Sequence, residues 1–256
     1  MAMSLRKAPV RNYSIRACRS LDELAGCVKL QQEIWGYSDL EVYPLRLFVN
    51  LNKIGGQVLG AFTRAGECVG FVAAMPAWRG RRRYWHSLSL GIRAGHENRG
   101  LGRALKLAQR RGALAAGLDS IMWSFDPMRA KNAFFNIERL GAVCRRYFPN
   151  YYGAVESRLQ QGLPSDRLIA EWWVKSRRAN NALAGKRLGR AGKRPAKEVA
   201  IPLDFERIAQ EDPECARELQ ADVRRKLMEF FQKGLVVTGF AREANSGRYL
   251  LERNAD

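Results

Sequence analysis

The hydrophobic positions change period several times along the chain, and each change predicts an element. Leu24, Cys27, Val28 and Ile34 form an apolar stripe at helical spacing over 20–35, and Ser20 with Glu23 three residues on makes a capping box at its start. A second helix is predicted over 45–54, stopped by Gly55-Gly56. The spacing then falls to two. Residues 58–63 and 68–75 read as strands joined by Arg64-Ala65-Gly66, a hairpin signal, and 84–92 alternates as the next strand. From Leu101 the helical period returns to about residue 116. Leu101, Ala104, Leu105, Ala108 and Ala115 line one face, and Arg103, Lys106 and Arg110 another. A short apolar run at 121–125 ends at Asp126-Pro127, and a helix over 132–140 closes on Gly141. Two more strands, 143–148 and 168–174, flank an aromatic loop. Farther on come a long helix over 212–233 and strand-like runs at 235–241 and 248–251.

Composition narrows the class. The chain has 256 residues, 46% of them hydrophobic, with six Trp, enough for a packed core. No apolar run approaches the roughly 18 residues needed to span a bilayer, and the basic start lacks a continuous apolar stretch, so neither a membrane span nor a secretory signal is expected. Five cysteines (Cys18, Cys27, Cys68, Cys144 and Cys215) form no Cys-x-x-Cys pair. They read as free thiols of a cytoplasmic protein, with no structural metal site.

Charge is uneven. The formal net charge is +19, and nine basic residues between Lys175 and Lys197 occur with no acid among them. With Asn180-Asn181, three glycines and Pro195, that stretch reads as a solvated linker over 179–197. It separates a main domain, 12–178, from a helix-and-strand extension, 198–256, too short to bury much core alone. A second basic run, Arg79 to Arg83, is expected in a loop. Such runs attract polyanions, so nucleic acid is one expected partner through the linker. A second copy of the chain is another.

The candidate chemistry begins at Glu97-Asn-Arg99-Gly100-Leu-Gly102-Arg103, a glycine turn between strand and helix. Unpaired N–H groups at a helix start, with the positive end of its dipole, favour a phosphate or pyrophosphate. The spacing fits neither a Walker loop nor a dinucleotide fingerprint, because Leu105 stands where the third small residue of the latter belongs.

This run, with Leu90 and Ile92 before it, resembles the pyrophosphate loop of the GNAT superfamily of acyl-CoA-dependent N-acyltransferases, with Glu97 at the position usually held by Gln or Arg. The run Asn132-Ala-Phe-Phe-Asn-Ile-Glu-Arg-Leu-Gly141 is similar to a second pattern of that family. The resemblance implies an α/β (α+β) GNAT fold, with a mixed central sheet flanked by helices, over about 12–175. It implies acetyl-CoA or succinyl-CoA as co-substrate, held by Leu90, Ile92, Arg99, Gly100, Leu101, Gly102, Arg103 and Asn132. A backbone N–H near Leu90 or Ile92 would be the oxyanion donor. Many members carry an acidic Tyr where this chain has Ile137, which leaves Tyr147, Tyr151 and Tyr152 as candidates to protonate the leaving thiolate.

For the base, an imidazole such as His86 has nearly the right unperturbed pKa, and the other reading of it is a structural His in the strand. Asp126 is the other choice, as base or as ligand of the acceptor amine, against an ordinary Asp-Pro turn residue. Glu33 is a third. The runs Glu33-Ile-Trp-Gly36, Ser124 to Asn132, Asn150-Tyr-Tyr-Gly153 and Leu163 to Trp172 resemble a predicted-acetyltransferase branch that includes amino-acid N-succinyltransferases. Arg129 and Lys131 would there hold a succinyl carboxylate. The acceptor implied is a small amine. The alternative is a nucleic-acid- or ribosome-binding protein on the same scaffold, with little or no catalysis.

Overall fold

The computed structural model describes residues 10–153, 162–186, 188 and 195–253. Of the expected linker charges, Arg187, Arg190, Lys193 and Arg194 lie outside the described residues. The chain divides into two compact units, Met1–Ile121 and Met122–Asp256.

In the first unit a 3-10 turn, Val10–Asn12, leads into β1 (Tyr13–Ala17), α1 (Leu21–Trp35), α2 (Leu45–Lys53), β2 (Gln57–Thr63), β3 (Cys68–Arg79), β4 (Arg82–Ile92) and α3 (Leu101–Ala115). The strands run in the order β1-β2-β3-β4, each antiparallel to its neighbour. Alternation along β2 divides its side chains between two cores. Val58 and Phe62 join Leu24, Cys27, Leu30, Phe48 and Leu51 of α1 and α2. Leu59 and Ala61 meet Leu101, Leu105 and Ala108 of α3. Ser20 caps α1 as its sequence predicts, accepting from the Glu23 N–H while Glu23 accepts from the Ser20 N–H. The β3–β4 ladder is longer than the pattern implied. It carries Arg79 and Arg82 as a facing pair, so only the turn between them remains of the expected basic loop.

β5 (Ser120–Phe125) runs into the second unit, which continues with α4 (Ala130–Phe134), a π-wound segment (Phe135–Arg139), β6 (Val143–Phe148), β7 (Arg167–Trp173) and α5 (Arg177–Leu183). Then come β8 (Lys197–Pro202), α6 (Phe205–Glu211), α7 (Pro213–Gln232), β9 (Leu235–Arg242) and β10 (Ser246–Arg253). Strand order here is β5-β7-β6-β9-β10-β8. β9 continues the β6–β7 pair at Cys144↔Val237, so the C-terminal extension adds three strands to this unit's sheet.

Two expectations are corrected. The stretch read as a linker from residue 179 begins inside α5, capped by Ser176 and with Ala179 and Ala182 buried. Arg178, counted as a solvated charge, donates to the carbonyls of Gly141 and Thr238. The cause is local: two alanines three apart are a faint apolar signal among basic and Asn residues. Gly141 has φ +79, and a Cβ there would stand 3.0 Å from Ala179 and Ala182, so the helix stop is also a close packing contact. The helix expected over 132–140 starts earlier and turns π-wound after Phe134, with the Leu140 N–H reaching back to the Phe135 carbonyl. Single π-turns of this kind recur at functional sites.

Candidate functional site

The glycine turn leaves the start of α3 uncapped. Gly100 is the N-cap of α3 at φ +82, ψ 3, a left-handed conformation that costs other residues about 1–2 kcal/mol. The Ala104 N–H is bonded to the Gly100 carbonyl at 3.0 Å, and the N–H groups of Leu101, Gly102 and Arg103 precede the helical ladder. No side chain caps this end and its first turn holds no acid. The preceding loop is pinned by His96, whose Nδ1 lies 2.9 Å from the Tyr13 hydroxyl, and Arg99 donates to that hydroxyl at 3.4 Å. At Gly102 a Cβ would meet only the Leu90 side chain at 3.6 Å, an ordinary contact.

β4 leads into this turn with a defect. Ala73 pairs with Ser89 and Ala74 with Ser87, which leaves Leu88 as the extra residue of a β-bulge. Beyond it the Arg93 N–H bonds to Val69 on β3 at 2.9 Å. Alternate N–H groups of a strand point to opposite sides, so those of Ile92 and Leu90 point away from β3. Leu90 and Ile92 pack in the same core as Leu101, which brings the strand end and the helix start together. His86 sits half-buried two residues before the bulge, in register with Met75.

Behind the bulge lies a group that pattern reading assigns to the wrong face. Lys106, grouped with Arg103 and Arg110 by its charge, is 2% exposed. Its Nζ donates to Ser87 Oγ at 3.0 Å and Gln109 Oε1 at 2.9 Å, and Gln109 also donates to Ser87 at 3.2 Å. Burial pushes its pKa down to about 7. Gln109, one turn on and polar in an apolar phase, was the available hint.

The second unit holds the remaining candidates. Asn132 is exposed in the first turn of α4, and Ile137 is fully buried in the π-wound segment. The Asp126 carboxylate accepts from the Met128 N–H at 2.8 Å and from Arg129 at 3.4 Å, the geometry of an Asx turn. Arg129 is also paired with Glu206 and only 13% exposed. Glu33, in the first unit, is bonded to Arg93 at 2.8 Å.

The tyrosines separate. The Tyr147 hydroxyl donates to Asp166 Oδ2 at 2.5 Å, and Asp166, fully buried, also accepts two bonds from Arg224 and one from the Asn150 N–H. Burial first, then this bond, push the Tyr147 pKa up. That corrects its assignment as an acid, because its proton is committed to a structural carboxylate. Tyr152 is 47% exposed, with its hydroxyl 2.8 Å from Ser124 Oγ near the end of β5. Ser124 carried no signal of its own beyond opening the run that ends at Asn132. Tyr151 packs edge-on against the Tyr152 ring.

No family model and no curated protein sequence matches the chain. Solved structures do. It is similar to a putative acetyltransferase of the GNAT family from Desulfovibrio desulfuricans, with TM-score 0.50 and 14% identity, covering 63% of this chain and 99% of that one. It is similar to the ribosomal-protein-S18-alanine N-acetyltransferase from Escherichia coli, with TM-score 0.51 and 14% identity over 64% and 95%. Arabidopsis thaliana NAA60 in complex with acetyl-CoA aligns with TM-score 0.50 and 14% identity over 63% and 99%. The chain therefore has the fold of the GNAT acetyltransferases, a mostly antiparallel sheet flanked by helices. Among the described residues no helix is long and apolar enough to cross a membrane.

Proposed function

We propose that this chain is an acyl-CoA-dependent N-acyltransferase that moves an acetyl group to the primary amine of a small, amino-acid-like acceptor in a ternary complex. The observation that carries the reading is the Gly100 cap, whose three leading N–H groups face no acid or side-chain cap within the first turn of a fifteen-residue helix. Pyrophosphate is the natural occupant of such a cradle, with Arg99 and Arg103 as its cations. The N–H groups of Leu90 and Ile92 stabilise the charge that develops on the thioester oxygen, a contribution of up to about 4 kcal/mol. Asn132 holds the pantetheine arm. His86 takes the ammonium proton, the amine attacks the carbonyl carbon, and the C–S bond breaks. Tyr152 returns a proton to the thiolate, and Asp126 serves the acceptor amine through the turn it stabilises. Acetyl is favoured over succinyl because Arg129, one of the two cations expected for a succinyl carboxylate, is already held by Asp126 and Glu206. The neighbour that carries acetyl-CoA supports the same donor. The one that acts on a ribosomal-protein alanine makes a protein N-terminus the acceptor class to test beside free amino acids.

Thermal unfolding with CoA, acetyl-CoA and succinyl-CoA tests the proposal. Ligand at a hundred times its dissociation constant stabilises by about 2.7 kcal/mol, a rise of roughly 2–4 °C. Acetyl-CoA is expected to give that shift in the native chain and to lose it in Gly100→Val, which closes the cradle. No shift with any acyl-CoA would sink the reading. A second reading, binding of single-stranded nucleic acid, has one observation of its own: Trp78 is 65% exposed, in register with Arg83 at the tip of the β3–β4 hairpin. A shift with RNA alone would select it.

A further inference from the structure

Two large apolar side chains stand in solvent on neighbouring elements of the first unit. Ile54, the C-cap of α2, is 59% exposed, and Trp78, near the end of β3, is 65% exposed. The turn after α2 packs on the base of the β3–β4 hairpin. Trp85 Nε1 donates to the Gly55 carbonyl at 2.9 Å, and a Cβ on Gly55 would stand 3.9 Å from Pro76 Cγ. Pro76 is in register with Trp85, and Trp78 with Arg83. Residues two apart on a strand share a face, so Trp78 and Arg83 lie on the side of the hairpin that this turn touches. Ile54 immediately precedes Gly55, which puts the aliphatic and the indole side chain on one patch. Cations surround them: Lys53, Arg79, Arg81, Arg82 and Arg83 are all exposed, with Arg81 in the tight turn that Gly80 makes at φ +59. Glu67 is the one acid between Glu41 and Glu97, and it is paired with Arg93. Neither α2 nor the hairpin therefore contributes a carboxylate to the patch.

We infer that this patch docks on an anionic lipid bilayer, with Ile54 and Trp78 entering the interface and the cations lying against the headgroups. Charge complementarity fixes the sign of the partner. Each cation near an anionic membrane surface strengthens binding by about fivefold, and several act together without a fixed geometry. The apolar pair fixes its kind. An indole is favoured at the boundary between headgroups and acyl chains, and an aliphatic side chain gains only where it leaves water for other apolar groups. A nucleic acid strand would use the arginines and stack a base on Trp78, but it has nothing to offer Ile54, which has no π-face. Shape points the same way. Single strands are held along grooves with successive aromatic platforms, whereas the tip of this hairpin carries one aromatic ring and cations on both faces. Docking of this kind lies on a membrane and needs no helix to cross it. No residue of the proposed acyl-transfer site takes part, so the patch acts apart from that chemistry.

The test is co-sedimentation of the full chain with vesicles of phosphatidylcholine alone and of phosphatidylcholine with about one third phosphatidylserine, at low and high salt. Binding is expected to the anionic vesicles only, and it should weaken at high salt as the charges are screened. Arg81→Gln together with Arg83→Gln should lower the partition coefficient by about 25-fold, at about fivefold per cation. Ile54→Ser should lower it by at least about fivefold, because the side chain no longer gains by leaving water. The same substitution should leave the affinity for a single-stranded RNA oligonucleotide unchanged. Ile54 is exposed, so an unchanged Tm is expected to accompany its loss of binding. Trp78→Ser makes the same test on the other element and decides the matter if the Ile54 variant is unstable. Equal binding to neutral and anionic vesicles, vesicle binding that survives both Ile54→Ser and Trp78→Ser, or capture by RNA with none by vesicles would each overturn the inference.

Discussion

Replacing Lys106 with Met tests how the first unit tolerates a cationic group inside its core. The ordinary pKa of 10.5 falls to about 7 on burial. At about 1.4 kcal/mol per tenfold change in proton affinity, the folded state disfavours the protonated lysine by about 5 kcal/mol. The sign follows from proton uptake. Between about pH 7 and 10.5 the unfolded chain binds a proton that the folded chain has given up, so stability rises with pH across that window. It is fully present above 10.5 and lost as pH falls to about 7. Methionine has no such term, although it strands the Gln109 Oε1 acceptor at a cost of about 1–3 kcal/mol that does not depend on pH, while Ser87 still accepts from Gln109. Every other titration cancels in the difference between the two proteins. Urea unfolding at pH 6 and pH 9.5 should therefore give a stability difference that swings by about 3 kcal/mol, with Lys106→Met the more stable at pH 6. A swing under about 1 kcal/mol would refute the reasoning and show that Nζ stays solvated or paired as a cation.

Other outcomes follow from the second unit and from α1. Arg224→Met leaves the buried Asp166 carboxylate without its cation and should cost about 3–5 kcal/mol by denaturant unfolding; a loss below 1 kcal/mol would mean that Tyr147 and the Asn150 N–H suffice. Tyr152→Phe should lower kcat by about 10²-fold or more with acetyl-CoA, the value of a positioned general acid. Tyr147→Phe should leave kcat within a fewfold while lowering stability by about 1–3 kcal/mol. Equal effects on kcat would undo the division of roles between the two tyrosines. Ser20→Ala removes one half of the capping box and should cost about 1 kcal/mol, read as a lower Tm with unchanged acyl-CoA binding.

Much of the fold was legible because periodicity carries it. The capped start of α1, the β2–β3 hairpin, the turn before α3 and the long helix α7 are all marked by local signals, namely a cap, a Gly and a change of period. Elements that depend on distant partners were not. β1, β8 and α6 are short and weakly patterned, and α5 is a helix because Gly141 and Arg178 give it a place to pack. The uncapped start of α3 was legible from Gly100, whose left-handed φ only glycine adopts readily. Charge misled at Lys106 and Arg178, since pattern reading places cations outside by default, whereas burial here comes with hydrogen bonds to Ser87, Gln109 and backbone carbonyls. The Cys18–Cys27 contact was invisible for a simpler reason: its members are brought together by the packing of α1 against the end of β1, and no local spacing encodes that.

The link between Asp166 and Arg224 also sets a clock on biosynthesis. The arginine is encoded 58 positions after the aspartate, and a ribosome adding about 5–20 residues per second needs roughly 3–12 s to reach it. Until then the strand start at β7 and the loop before it cannot close, because a carboxylate that ends fully buried must remain hydrated while its cation is absent. The second unit is thus completed late, after α7 has left the exit tunnel. A chain released before residue 224 would leave Asp166 without its cation and the second unit unfinished, open to proteases.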